Sequence, residues 1–185
     1  MIIIGITGTI GAGKGTVVDY LVKKHHYDHF SVRKFLTAII ETKGLPLNRD
    51  SMVAVANDLR ANNSPSYIVE QLYDMAIQSK NNCIIESIRT PGEIDALRKL
   101  GNFYLLAVDA DPKTRYERIV IRNSETDKIS FETFIENEKR EMTATDPNKQ
   151  NLSVCMSKSD FTVENSGSFE DLNVQIEKIL ASITK

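Results

Sequence analysis

The chain has 185 residues, 41% apolar and 26% charged, with a formal net charge of -2. That is enough apolar material for one globular domain with a real core. It is too little cationic excess for a nucleic-acid-binding surface. No apolar run approaches the roughly 20 residues of a membrane span, and the opening Ile2-Ile-Ile4 gives way at once to Gly5 and Thr7. The expectation is a cytoplasmic protein without a signal peptide, and without nucleic-acid or membrane partners.

Residues 1–6 are apolar and β-branched, and predict a strand buried on both faces. A glycine-rich stretch from Gly8 to Gly13 follows. Val17, Val18, Leu21 and Val22 then recur at helical spacing over 14–24. Residues 27–31 predict a second strand and 32–42 a helix, broken by Gly44 and Pro46. Two further helices are expected over 50–60 and 65–79, so that a largely helical insert separates the second strand from the third at 83–85. Thr90 and Pro91 open a helix to Leu100. Residues 103–108 predict the fourth strand, and Asp111-Pro112 caps a helix ending at Arg122. After a polar stretch at 123–128, a helix runs from Ser130 to about Met142, and 160–164 forms the fifth strand. Ser168 caps the last helix, whose apolar face is Phe169, Leu172, Ile176, Ile179, Leu180 and Ile183. Strands alternating with helices imply an α/β fold of three layers, a five-stranded parallel sheet covered on both faces. No repeat or linker divides the chain, which reads as a single domain over 1–185.

Chemistry concentrates in Gly8-Thr-Ile-Gly11-Ala12-Gly13-Lys14-Gly15-Thr16. Glycines let the backbone curl so that several N–H groups point inward, with no Cβ in the way of a phosphate. The helix beginning near Lys14 adds the positive end of its dipole. Lys14 offers a mobile cation to the β- and γ-phosphates, and a hydroxyl near the helix start serves phosphates or Mg²⁺. The general phosphate-loop motif has Ser or Thr directly after the lysine; here Gly15 stands there and Thr16 follows.

That arrangement resembles the loop of adenylate kinase and related P-loop nucleoside monophosphate kinases, and the resemblance extends along most of the chain. His29-Phe-Ser-Val-Arg33-Lys-Phe-Leu36 is similar to the start of their acceptor-binding helices. Ile84-Ile-Glu86-Ser-Ile-Arg89-Thr90 is similar to their apolar strand, acid and acceptor-binding arginine. Arg115-Tyr-Glu-Arg118-Ile-Val-Ile-Arg122 resembles the arginine-rich helix entering their lid, and the segment from Asn165 to Leu172 the loop beside the adenine. The stretch from Gly44 to Arg60 is similar to uncharacterised archaeal kinase-like proteins. Dephospho-coenzyme A kinases share the Asn-x-Gly-Ser pattern at Asn165 and the Val108-Asp-Ala segment. Two positions depart from adenylate kinase: Thr37 stands where an arginine is usual, with Arg33 nearby, and Glu86-Ser87 replaces Asp-Gly. The resemblance implies a P-loop NTPase fold with an acceptor-binding insert at about 32–80 and a short lid at about 122–141.

Phosphoryl transfer needs charge neutralisation and in-line positioning. Gly8, Gly11, Ala12, Gly13, Lys14, Gly15 and Thr16 are expected to bind ATP. Glu86, closing an apolar strand, is expected to hold a Mg²⁺-bound water or orient the acceptor; the alternative is a surface carboxylate capping the next turn. Arg89 and Arg33 are expected on the acceptor's phosphate. Arg115, Arg118, Arg122 and Arg140 compete for the lid, and Arg118 and Arg122, one turn apart on one face, are preferred as catalytic. His25, His26 and His29 read as a solvated helix end, Asp109 and Asp111 as helix caps, and Cys83 as a small buried residue. The expected function is transfer of the γ-phosphoryl group of ATP, with Mg²⁺, to a nucleoside monophosphate or similar small nucleotide. The rivals are a dephospho-coenzyme A or other small-metabolite kinase, and a regulatory or assembly ATPase whose slow hydrolysis switches conformation. The oligomeric state is open at this level.

Overall fold

The computed structural model describes residues 1–123, 128–146 and 148–184. Its elements in chain order are β1 (Ile3–Gly8), α1 (Lys14–His25), β2 (Asp28–Ser31), α2 (Val32–Thr42), α3 (Arg49–Asn62), α4 (Tyr67–Ser79), β3 (Cys83–Glu86), α5 (Pro91–Leu100), β4 (Phe103–Asp109), α6 (Pro112–Arg122), α7 (Phe131–Met142), α8 (Leu152–Ser157), β5 (Phe161–Glu164) and α9 (Phe169–Ile183). Every strand pairing is parallel, in the order β2-β3-β1-β4-β5. β1 is central and buried at all six positions, as a strand covered on both faces must be. It begins at Ile3 and continues to Gly8, carrying the sheet up to the glycine loop.

Side chains alternate across the sheet and feed two cores. Ile3, Ile85, Phe103 and Leu105 pack with Leu36 and Ile40 of α2, Val55 of α3, Ile68 and Leu72 of α4, Ile94 and Leu97 of α5 and Cys155 of α8. Ile4, Ile6, Ile84, Leu106 and Val108 pack with Val17, Val18 and Leu21 of α1 and Leu172, Ile176 and Leu180 of α9. This is the expected three-layer arrangement, with α2, α3 and α4 lying between β2 and β3.

Local chemistry explains the element starts. Thr90 and Glu93 form a reciprocal capping box at α5, with Pro91 in the first turn. Asp111 accepts from the Lys113 and Thr114 amides at α6. Ser168 and Asp171 cap α9, and Asn48 caps α3 one residue earlier than expected. α8 was not expected from sequence; its six residues are capped by Asn151 and bury Leu152 and Cys155. Phe169 departs from the expected apolar face of α9, because the residue is 74% exposed. Cys83 is buried as expected. Among the described residues no helix is long and apolar enough to cross a membrane.

Candidate active site

The glycine loop leaves the carboxyl end of β1, which pairs with β3 on one side and β4 on the other. That is the switch point of an open parallel sheet, where such folds bind ligands. Four contacts pin the loop. Thr7 Oγ1 donates to the Ile88 carbonyl at 2.8 Å, and Thr9 Oγ1 to Asp109 Oδ1 at 2.7 Å. Asn165 Nδ2 donates to the Ala12 carbonyl at 2.8 Å, and Arg115 Nη1 to the Ile10 carbonyl at 3.3 Å. Asp109 therefore fixes the loop instead of capping α6, which Asp111 does alone. Gly13 has φ 91° and a Cβ there would stand 2.1 Å from Asn165 Nδ2, so only glycine fits. At Gly15, by contrast, a Cβ would meet nothing within 4 Å, and the missing hydroxyl of the general motif is not forced by packing.

Gly13 is the N-cap of α1 and offers no side-chain cap; the Thr16 amide donates to the Gly13 carbonyl at 3.0 Å, and the helix begins where the loop ends. Lys14 Nζ donates to the carbonyls of Gly8 at 3.0 Å and Thr9 at 2.7 Å. Burial, then the Arg89 charge, brings its pKa down to about 7 against the pull of Glu141 and Glu86. Thr16 lies two residues further on and lines the same cleft.

Glu86 ends β3 opposite Ile6 of β1 and Ser31 of β2. Its Oε1 accepts from Ser31 Oγ at 3.1 Å, and its Oε2 lies 3.4 Å from His29 Nε2. Burial works to raise its pKa, but His29, Ser31 and Lys14 outweigh burial and hold the carboxyl below its usual range. Its contacts run to side chains of β2 and it lines the cleft, so Glu86 does not cap the next turn. His29 is thus the carboxylate's neighbour, not part of a solvated helix end; His25 meets Glu177 at 2.9 Å instead. Ser87, where the resembled kinases have glycine, adopts φ 69°, a left-handed conformation that favours glycine.

A cleft of about 650 Å³ runs from the loop across the ends of β1 and β3 to α2 and α3. Lys14, Glu86, Arg33, Arg89, Arg118 and Arg122 all line it, so the structure brings together every charged side chain expected at the site. Arg118 Nη1 is buried without a hydrogen-bond partner, 3.8 Å from the Cβ position of Gly13. Arg115 and Arg140 drop out. Arg115 is buried, donating from Nε to the Ala110 carbonyl at 2.8 Å, paired with Glu138 at 2.8 Å and lying over Phe134. Arg140 is half-exposed, 3.7 Å from Asp50.

At the far end of the cleft sequence reasoning named Arg89 but missed its partners. Arg49 Nη2 pairs with Glu141 Oε1, and Arg89 Nη1 with Glu141 Oε2 at 2.6 Å. Arg89 Nη1 also donates to Gln150 Oε1 at 2.7 Å. Below them lies a fully buried pair: Arg60 donates from Nε and Nη2 to Glu93 Oε1 at 3.2 and 2.8 Å. Glu93 Oε2 accepts from the Arg89 and Thr90 amides, fixing the turn that carries Arg89. The wall facing these groups is apolar, from Val32, Leu36, Met52, Val53 and Ala56. A second groove of about 500 Å³, between α4 and α5, is lined by Glu70, Asp74 and Asp95 with Lys99. Three carboxylates against one ammonium do not suit a phosphate.

Of the expected lid, residues 124–127 lie outside the described residues. Its flanks are joined by Tyr116 of α6, whose hydroxyl donates to the Ile129 carbonyl at 3.2 Å and whose ring meets Phe131 and Phe134 of α7. Among the described residues no cluster of three or more metal-ligating side chains occurs. Glu86 and Thr16 remain as oxygen donors, a set that suits Mg²⁺, which takes one or two protein oxygens beside water and phosphates.

A glycine loop between a central parallel strand and a helix, with an acid on the adjacent strand, defines a P-loop protein of kinase-like fold. A family model described as an AAA domain matches residues 4–145. A UPF0200 protein of Methanocaldococcus jannaschii is 30% identical, over 99% of this chain and 91% of the relative. The chain belongs to that AAA domain family and to the UPF0200 proteins. The crystal structure of TT1252 from Thermus thermophilus is similar over 100% of this chain and 98% of that one, with TM-score 0.61 and 20% identity. A gluconokinase from Sinorhizobium meliloti is similar over 99% and 91%, with TM-score 0.58 and 14% identity. At these identities the likeness is one of fold.

Proposed function

We propose that the protein is an ATP-dependent kinase that phosphorylates a nucleoside monophosphate or a similar small nucleotide. One observation carries this reading: a single cleft holds a phosphate loop at one end and an arginine-rich, apolar-walled pocket at the other, with Lys14 and Glu86 between. A hydrolytic switch needs the first end only.

In this reading the loop from Gly8 to Thr16 holds the donor phosphates. The unpartnered Nη1 of Arg118 finds its acceptor there, and the exposed ring of Phe169, beside Asn165, offers a face for the base. Mg²⁺ would be held by Glu86 and Thr16 with the phosphates, and when bound it would neutralise phosphate charge. Glu86, kept ionised by its neighbours, also orients the acceptor. Arg118 and Arg122, on α6 where it enters the lid at about 122–141, close on the transferred group and stabilise its charge as water is excluded. Arg33 and Arg89, in the insert at about 32–80 and just beyond β3, bind the acceptor's phosphate.

The test is a screen of ribo- and deoxynucleoside monophosphates, dephospho-coenzyme A and nucleosides for stimulated ADP release. Turnover of about 1–100 per second with one acceptor class supports the reading. Slow ADP release that no acceptor changes would identify a regulatory ATPase instead.

A further inference from the structure

Glu141 is a buried carboxylate, 3% exposed, that occupies the arginine pair at the acceptor end of the cleft. It spans the pair with both oxygens, one to Arg49 and one to Arg89. Arg89 and Arg49 hold its carboxyl below the usual range in spite of burial. Yet Arg49 Nε is buried without a partner, so the internal carboxylate uses less than the arginines offer. Gln150 Oε1 adds a further acceptor on Arg89. The arginines themselves keep 20% and 26% of their side-chain surface exposed to the cleft. Glu141 is the penultimate residue of α7, one place from the helix end, where helices open most readily.

We propose that Glu141 is a placeholder that sets an affinity threshold: an internal carboxylate that any entering anion must displace from Arg49 and Arg89, so that the more highly charged phosphate monoesters still bind where carboxylates do not. The proposal rests on the reading of this end of the cleft as the acceptor pocket, and narrows it. The internal carboxylate competes intramolecularly, so every external anion meets the same displacement cost. An external carboxylate only exchanges one monoanion for another and gains nothing from the charges. A phosphate monoester carries about -1.5 to -2 charges at neutral pH and three acceptor oxygens, enough to use the idle Arg49 Nε as well. Arg49 is thereby a further acceptor-binding residue, and the apolar wall of Leu36, Met52 and Val53 receives the body of the same ligand.

The probes are phenyl phosphate and benzoate, a matched phosphate and carboxylate, titrated by calorimetry with the phosphate loop filled by MgADP. The wild type is expected to bind phenyl phosphate and to bind benzoate much more weakly. Glu141→Gln keeps the shape but weakens the placeholder, so both probes should gain by the same factor, about tenfold if the free pair is about one-tenth populated. Arg49→Gln should weaken both. In the wild type, phenyl phosphate should speed amide exchange in the last turn of α7 around residues 139–142, the reverse of ordinary protection on binding; this readout stands even if a variant fails to fold. Unchanged or reduced affinity in Glu141→Gln, no binding of phenyl phosphate, or added protection of that turn would overturn the proposal. None of these measurements needs phosphoryl transfer. Failure of every acceptor in the activity screen would sink the kinase reading while leaving the placeholder intact, and the converse also holds.

Discussion

Thr9 and Asp109 join the two strand ends that frame the site: the Thr9 hydroxyl, just past β1, donates to the Asp109 carboxylate at the end of β4 at 2.7 Å. Thr9 is 3% exposed, so the bond is shielded on one side, and it fixes where the glycine loop begins its curl.

Thr9→Val keeps the volume and deletes the donor. The expected cost is about 1–2 kcal/mol of stability, the range for a hydrogen bond to a charged group that keeps some access to water. Nucleotide affinity should fall by about tenfold because the loop is less well ordered before binding. Denaturant melts and nucleotide titration read the two effects. An unchanged affinity would mean that Thr7, Asn165 and Arg115 shape the loop without Thr9.

Lys14 gives a pH signature. Its ordinary pKa of 10.5 is lowered to about 7 in the fold. Between about 7 and 10.5 the unfolded chain therefore binds more protons than the native one, and this group makes stability rise with pH across that window. Donor phosphates would push the pKa back up, so binding at pH about 8 should take up protons. Calorimetry in buffers of different ionisation enthalpy measures the uptake. Lys14→Ala should lose it, together with all turnover, while the melting temperature stays within a few degrees or rises. Equal proton uptake in the variant would remove Lys14 from the phosphates.

Glu86→Gln keeps size and hydrogen bonding to Ser31 but removes the charge. Turnover should fall by about 10²- to 10³-fold with only a small change in ATP affinity, the pattern of an interaction made on the way to the transition state. Wild-type turnover with a lower melting temperature would make Glu86 a structural partner of His29 and Ser31.

The sequence made the architecture and the donor end of the cleft legible because both depend on local rules. Apolar runs such as Ile84-Ile85 mark strands, and Thr90-Pro91 and Asp111-Pro112 mark helix starts by short-range hydrogen bonding. The glycine loop is contiguous. At the far end of the cleft Arg89 was legible, but its partners Arg49, Glu141 and Gln150 were not, because no sequence period links charges that far apart. Nothing local in the sequence marks Arg60 and Glu93 as buried; tertiary contact buries them against each other. Phe169 sits at helical spacing with a true core face, so the pattern could not tell that the first turn of α9 overhangs the cleft. α8 has only six residues, too few to show a period.

The central claim is that the γ-phosphoryl group leaves ATP for another small molecule. Phosphorus NMR of MgATP incubated with the protein and the best acceptor from the screen follows that group directly. The account predicts a new acceptor-phosphate resonance growing in step with ADP, little inorganic phosphate, and neither product with Lys14→Ala. Inorganic phosphate as the sole phosphorus product besides ADP, at a rate indifferent to every acceptor, would contradict it.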